Sequence, residues 1–74
     1  MWVKTMNGEL VNLAHATVVK SSGARVSVYT SNNGSIDIAE CEDESDAQRV
    51  FNIIADHIAK GSRYLDMEDI ARLP

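Results

Sequence analysis

"ESDAQRVFNIIADHIAKGS", residues 44–62, decides the fold. Ala47, Val50, Phe51, Ile54 and Ile58 recur every three or four residues, a spacing that gathers them into one stripe along an α-helix. Gln48, Arg49, Asn52, Asp56 and Lys60 fall elsewhere, and Asp56 with Lys60 forms a favourable i,i+4 pair. Ser45 followed by Gln48 reads as a capping box, and Gly61 stands where a left-handed residue ends a helix. The spacing predicts a helix over 45–60 that must lay its stripe on another apolar surface. Burying such a stripe is worth about 1.5–3 kcal/mol per large side chain.

That surface has to come from upstream. Residues 24–31, "ARVSVYTS", alternate, with Ala24, Val26, Val28 and Thr30 on one side and Arg25, Ser27, Tyr29 and Ser31 on the other. Residues 16–21, "ATVVKS", read as a further strand, and "SSG" at 21–23 interrupts the pattern. For "NNG" at 32–34 a three-residue loop sets Thr30 opposite Ile36 and Val28 opposite Ile38, with Gly34 left-handed. Slipping the register by one residue would turn the apolar side outward. The helix stripe is therefore expected on Val26, Val28, Ile36 and Ile38. The opposite face, with Arg25, Ser27, Tyr29, Ser31 and Asp37, is expected to stay open.

Nearer the start, "KTMNGELVNL", residues 4–13, sets Asn7-Gly8 between two short runs. This suits a two-residue type I′ turn, pairing Met6 with Glu9, Thr5 with Leu10, Val3 with Asn12 and Trp2 with Leu13. In that register both faces mix apolar and polar residues, and neither is marked as the buried one. At the other end Tyr64-Leu65 read as extended. Asp66 with Asp69 suits the cap of a short helix bearing Met67, Ile70, Ala71 and Leu73.

The expected architecture is a single α+β domain over 1–74. An antiparallel meander of about five strands and hairpins (1–41) is covered on one face by one long helix, and 63–74 forms a short C-terminal strand or helical turn. A chain of 74 residues buries only about 60% of its unfolded surface, so the core is small.

Composition narrows the function. Eleven acidic against seven basic residues give a net charge of −4, and Lys4, Lys20, Arg25, Arg49, Lys60, Arg63 and Arg72 are scattered singly. Nucleic-acid binders concentrate cations on one face because phosphate neutralisation supplies most of their affinity. Neither direct nucleic-acid binding nor adhesion to an anionic membrane is expected. The opening "MWVKTMNG" lacks the apolar run of a signal peptide, and no stretch approaches the roughly 20 apolar residues of a membrane span. A lone cysteine, Cys41, makes no internal disulfide, so the cytoplasm is the expected compartment.

The opening Trp2, Thr5, Asn7, Gly8, Leu10 and Asn12, the alternating strands, the helix and "YLDMEDI" together resemble a loose group of short bacterial and phage proteins of unassigned function. Members open on Trp-x-x-Thr-x-Asp/Asn-Gly-x-Leu-x-Asn, continue in an antiparallel sheet and end in a helix. The resemblance implies a fold and an origin. The group carries no known active site, so no functional residue is transferred.

Residue types that carry chemistry are few. Cys41, His15 and His57 are the conventional nucleophile and base candidates, but helix rise alone separates Cys41 from His57 by more than roughly 15 Å. No metal or cofactor site is expected from one cysteine and two distant histidines. "ECEDESD" brings Glu40, Glu42, Asp43, Glu44 and Asp46 to the helix start, where negative charge is favourable. The same run has neither the alternating ligands nor the glycine of a calcium loop. The expectation is a non-enzymatic module that binds another protein, a bacterial or phage accessory protein. Trp2 and Tyr29 serve as its anchors and Glu42, Asp43 and Glu44 as an acidic docking patch. The first alternative is an inhibitor of a nucleic-acid enzyme that offers carboxylates in place of phosphates, and the second is a minimal enzyme. A small sheet with one helix also leaves edges open, so self-association through an edge strand or the first hairpin is expected.

Overall fold

The structure, a computed structural model, describes residues 1–31 and 34–71. The helix α1 spans Glu44–Ala59 and buries Ala47, Val50 and Ile54. Phe51 packs at the margin, whereas Ile58 stays 49% exposed. Its cap is Asp43, not Ser45: the Asp43 backbone is extended, and its carboxylate accepts from Asp46 N–H at 2.8 Å. Asp43 and Asp46 repeat the cap spacing two residues earlier than Ser45 and Gln48, and a carboxylate at the positive end of the helix dipole is the stronger acceptor. Gln48 then turns to other partners, donating to Asn52 Oδ1 and accepting from Ser21 Oγ. At the far end Gly61 is left-handed at φ 75°. Gly61 N–H donates to Ile58 C=O and Ser62 N–H to His57 C=O, both at 3.1 Å, which closes the last turn in a Schellman motif.

The described residues hold six strands: β1 (Trp2–Lys4), β2 (Leu10–Asn12), β3 (Ala16–Ser22), β4 (Arg25–Thr30), β5 (Ser35–Glu40) and β6 (Tyr64–Asp66). They do not form one five-stranded meander. β3-β4-β5 make an antiparallel meander of three, and β2-β1-β6 make a separate small sheet in which β1 runs parallel to β6. The break lies at Leu13–His15, a 3-10 turn capped by Asn12, whose side chain accepts from Ala14 N–H. Both readings of the tail hold together: β6 is followed directly by the short helix α2 (Met67–Ala71), with Glu68 N–H on Asp66 Oδ1. Leu73 lies outside the described residues.

The first hairpin takes a register one residue away from the expected one. Val3 faces Val11 and Lys4 faces Leu10, and Thr5 N–H donates to Glu9 C=O at 2.7 Å. The connection is therefore Met6-Asn7-Gly8, with Gly8 left-handed at φ 83°. The reason is burial. This register puts Val3, Thr5 and Val11 on one buried side, whereas the two-residue turn would have set Val3 against Asn12. Thr5 is wholly buried and satisfied, its Oγ1 accepting from Glu9 N–H at 3.1 Å.

The β4–β5 register also differs from expectation, by two residues. Val28 faces Ile36, and Thr30 N–H donates to Gly34 C=O, so Gly34 joins the ladder and is not left-handed. Asn32 and Asn33, expected in the loop with it, lie outside the described residues. A shift of two preserves the faces, so Val26, Val28 and Ile38 remain buried as the alternation requires. A bulge between Val26 and Ser27 lets Ile38 and Ala39 both turn inward, and there Ile38 C=O accepts from Met6 N–H at 3.3 Å. That bond ties the small sheet to the meander. One core results: Val3, Val11, Leu65, Met67 and Ile70 pack in the same cluster as Val26, Val28, Ile38, Val50 and Ile54.

Candidate functional site: the outer face of the small sheet

In β1 and β6 the same pattern appears twice. Trp2-Val3-Lys4 lies beside Tyr64-Leu65-Asp66, aromatic to aromatic, aliphatic to aliphatic, cation to anion. Strand alternation sends Val3 and Leu65 inward, where they are 0% and 5% exposed. It sends Trp2 and Tyr64 outward, where they are 49% and 52% exposed. On the other flank of β1, Leu10 stands opposite Lys4 and is 62% exposed. Lys4 Nζ reaches Asp66 Oδ2 at 4.0 Å. The outer face is thus two aromatic rings and an isobutyl group around a loosely held ion pair. Trp2 N–H donates to Arg63 C=O and Leu13 N–H to Met1 C=O, both at 2.8 Å, so the backbone under this patch is fixed by hydrogen bonds.

Trp2 and Tyr29, both expected as anchors, lie in different sheets, and the aromatic residue beside Trp2 is Tyr64. Tyr29, 38% exposed, lies on the outer face of the meander beside Val18 and Ser35. Apart from Val18, its surroundings are polar. Ser27 donates to Asp37 Oδ1 at 2.6 Å, and Arg25 Nη1 lies 3.7 Å from Asp37 Oδ2. Tyr64 was not singled out from the sequence, and the repeated aromatic-aliphatic-charged triplet is the signal that would have set it beside Trp2.

Glu42, Asp43 and Glu44 are exposed at the start of α1, but Asp43 is engaged as the cap. Its neighbour Asp46 holds Arg49 Nη2 at 2.7 Å. Beside them Cys41 is half-buried, and burial, with the charge of Asp46 behind it, pushes its thiol pKa up and keeps it protonated. His57 lies in the last turn of the same helix, its Nδ1 3.0 Å from Ser62 Oγ. The structure therefore places Cys41 and His57 at opposite ends of α1. A shallow groove along α1 includes Glu44, Gln48, Arg49, Asn52, Ile53 and His57, without Cys41. His15 is described in its backbone alone. Among the described residues no group of three or more His, Cys, Asp or Glu is placed to hold a metal ion, and no helix is long and apolar enough to cross a membrane.

Comparison with known proteins finds no family model, no curated protein and no solved structure that matches the chain.

Proposed function

We propose that the protein is a small, non-enzymatic interaction module, an accessory protein of bacterial or phage type, that works by docking another protein on the outer face of its small sheet. The observation that carries this reading is the exposure of Trp2, Tyr64 and Leu10 together on one face of the three-stranded sheet β2-β1-β6. Aromatic side chains bring large contact area at small entropic cost, and they dominate the energetics of protein interfaces. Their backs are already secured by Val3, Val11 and Leu65, so nothing in the core requires the outer groups to be apolar. The Lys4–Asp66 pair among them adds the polar contacts that such patches carry.

The test is capture from a bacterial host lysate with mass identification, comparing the parent chain with Trp2→Ser/Tyr64→Ser and with Tyr29→Ser. A partner that is lost with the double variant and kept with Tyr29→Ser supports the reading. Trp2 is the single tryptophan, so the same partner should also shift its fluorescence to the blue. Retention of all partners by the double variant, with loss on neutralising Glu42, Asp43 and Glu44, would transfer the function to the acidic patch and sink the proposal.

A further inference from the structure

We propose that the chain forms a two-fold dimer through the free edge of β3, joining two meanders into one six-stranded sheet. β3 is the longest strand, Ala16–Ser22, and among the described residues it pairs with β4 alone. The other edges are smaller or occupied: β2 and β6 have three residues each, and β5 receives Met6 N–H at Ile38 C=O.

The hydrogen-bonding sense of the edge follows from the turn. Ser22 faces Arg25 across the two-residue connection Gly23-Ala24, so Ser22, Lys20 and Val18 direct their backbone groups toward β4. The N–H and C=O of Val19 and Ser21 then point away from the sheet. An antiparallel strand is its own complement under a two-fold axis. Any axis through a residue of β3 keeps inner side chains with inner ones, and the three nearest its middle, at Val18, Val19 and Lys20, pair the most residues. An axis at Lys20 sets two ammonium groups face to face, which like charge disfavours. One at Val18 runs into the bulge between Ala16 and Val18. The remaining axis, at Val19, pairs Val19 with its counterpart and lays each Val18 along the stem of the opposite Lys20.

The helix supports a copy of this chain as the occupant. α1 packs over β3 and β4. With strands about 4.8 Å apart, α1 stands about one strand spacing from the proposed axis, so the two helices would meet at about 10 Å, a normal helix packing distance. A partner without a helix on this face would leave that space empty. The contact also covers the apolar groove along the edge, lined by Met1, Leu13, Ala16, Val18, Val19 and Ile58. In the single chain Val18 and Ile58 are 50% and 49% exposed.

Sedimentation equilibrium of the full chain from low to high micromolar concentration tests this. The mass should double over the range. Val19→Pro removes one outward N–H without costing a bond to β4, and should give a monomer. Ile58→Glu places a charge between the helices and should weaken association about tenfold or more. Circular dichroism checks that each variant is folded, and if Val19→Pro is not, Ile58→Glu decides. Trp2→Ser/Tyr64→Ser should leave the dimer intact, which separates this proposal from the docking reading above. A monomer at every concentration overturns it. So does a dimer indifferent to Ile58→Glu, or one abolished by the Trp2/Tyr64 double variant.

Discussion

The two sheets meet the same folding demand and differ in what they leave outside. The meander buries Val26, Val28 and Ile38 on its inner face, and its outer face mixes charged Arg25 and Asp37 with the exposed pair Tyr29 and Val18, while Ser27, expected to stay open, is buried against Asp37. The small sheet buries Val3, Val11 and Leu65 in the same core, yet its outer face carries Trp2, Tyr64 and Leu10. Inward composition is set by packing in both. Outward composition is unconstrained by packing, so the apolar outer side of one sheet is a choice that stability does not explain. The contrast teaches that burial inside and exposure outside must be read strand by strand, because an aromatic residue beside a core valine need not belong to the core.

Three changes sharpen or break this contrast. The largest effect is expected at the shared core. Leu65→Ala should cost about 2–5 kcal/mol, a large part of the stability of so small a domain, with one cooperative urea transition. Two separated transitions would show that the sheets are independent and end the comparison. A middle-sized effect is expected at the turns. Gly8 is left-handed, so Gly8→Ala should cost about 1–2 kcal/mol. Gly34 is not left-handed. An added Cβ there meets Thr30 Oγ1 at 3.1 Å, a contact a small side-chain adjustment relieves. Gly34→Ala should cost less than Gly8→Ala, and the reverse order in thermal melts would undo the register described for both hairpins. The smallest effect is expected on the outer faces. Lys4→Met removes the ion pair with Asp66, and a partly exposed pair at 4.0 Å is worth about 0–1 kcal/mol at most. A larger loss in urea titration would mean that the outer side of the small sheet does contribute to folding.

The long helix was legible because sixteen residues carry the 3.6-residue repeat many times over. Its start was not, because Asp43-x-x-Asp46 and Ser45-x-x-Gln48 offer the same cap spacing and only the folded chain chooses between them. In the meander the faces were legible from the alternation at 24–31, but the pairing was not. A slip of two residues leaves every side chain on its own side and so changes nothing that alternation records. Asn7-Gly8 was ambiguous in another way. The dipeptide serves both a two-residue turn and the end of a three-residue one, and the mixed faces of the first register were the sign against it. The division into two sheets left almost no trace, since strands of three residues carry too little pattern. The pairing of Trp2 with Tyr64 followed from that division, so the candidate site was half legible: one anchor was chosen for its type, and its neighbour is set by topology. Folding does not use every sizeable aliphatic group: Leu10, Val18 and Ile58 stay about half exposed or more.

The parallel pairing of β1 with β6 has a consequence for how the molecule comes into being. During synthesis Val3 and Val11 emerge long before Leu65, the residue that sits beside Val3 in the sheet. Until then β1 has β2 alone beside it, and its apolar side chains lack the cover of Leu65, Met67 and Ile70. Long-range closure of this kind is slow, because the entropy of the intervening loop is lost before the contact forms. The nascent chain therefore leaves Val3 and Val11 without their full cover until Leu65, Met67 and Ile70 have been made.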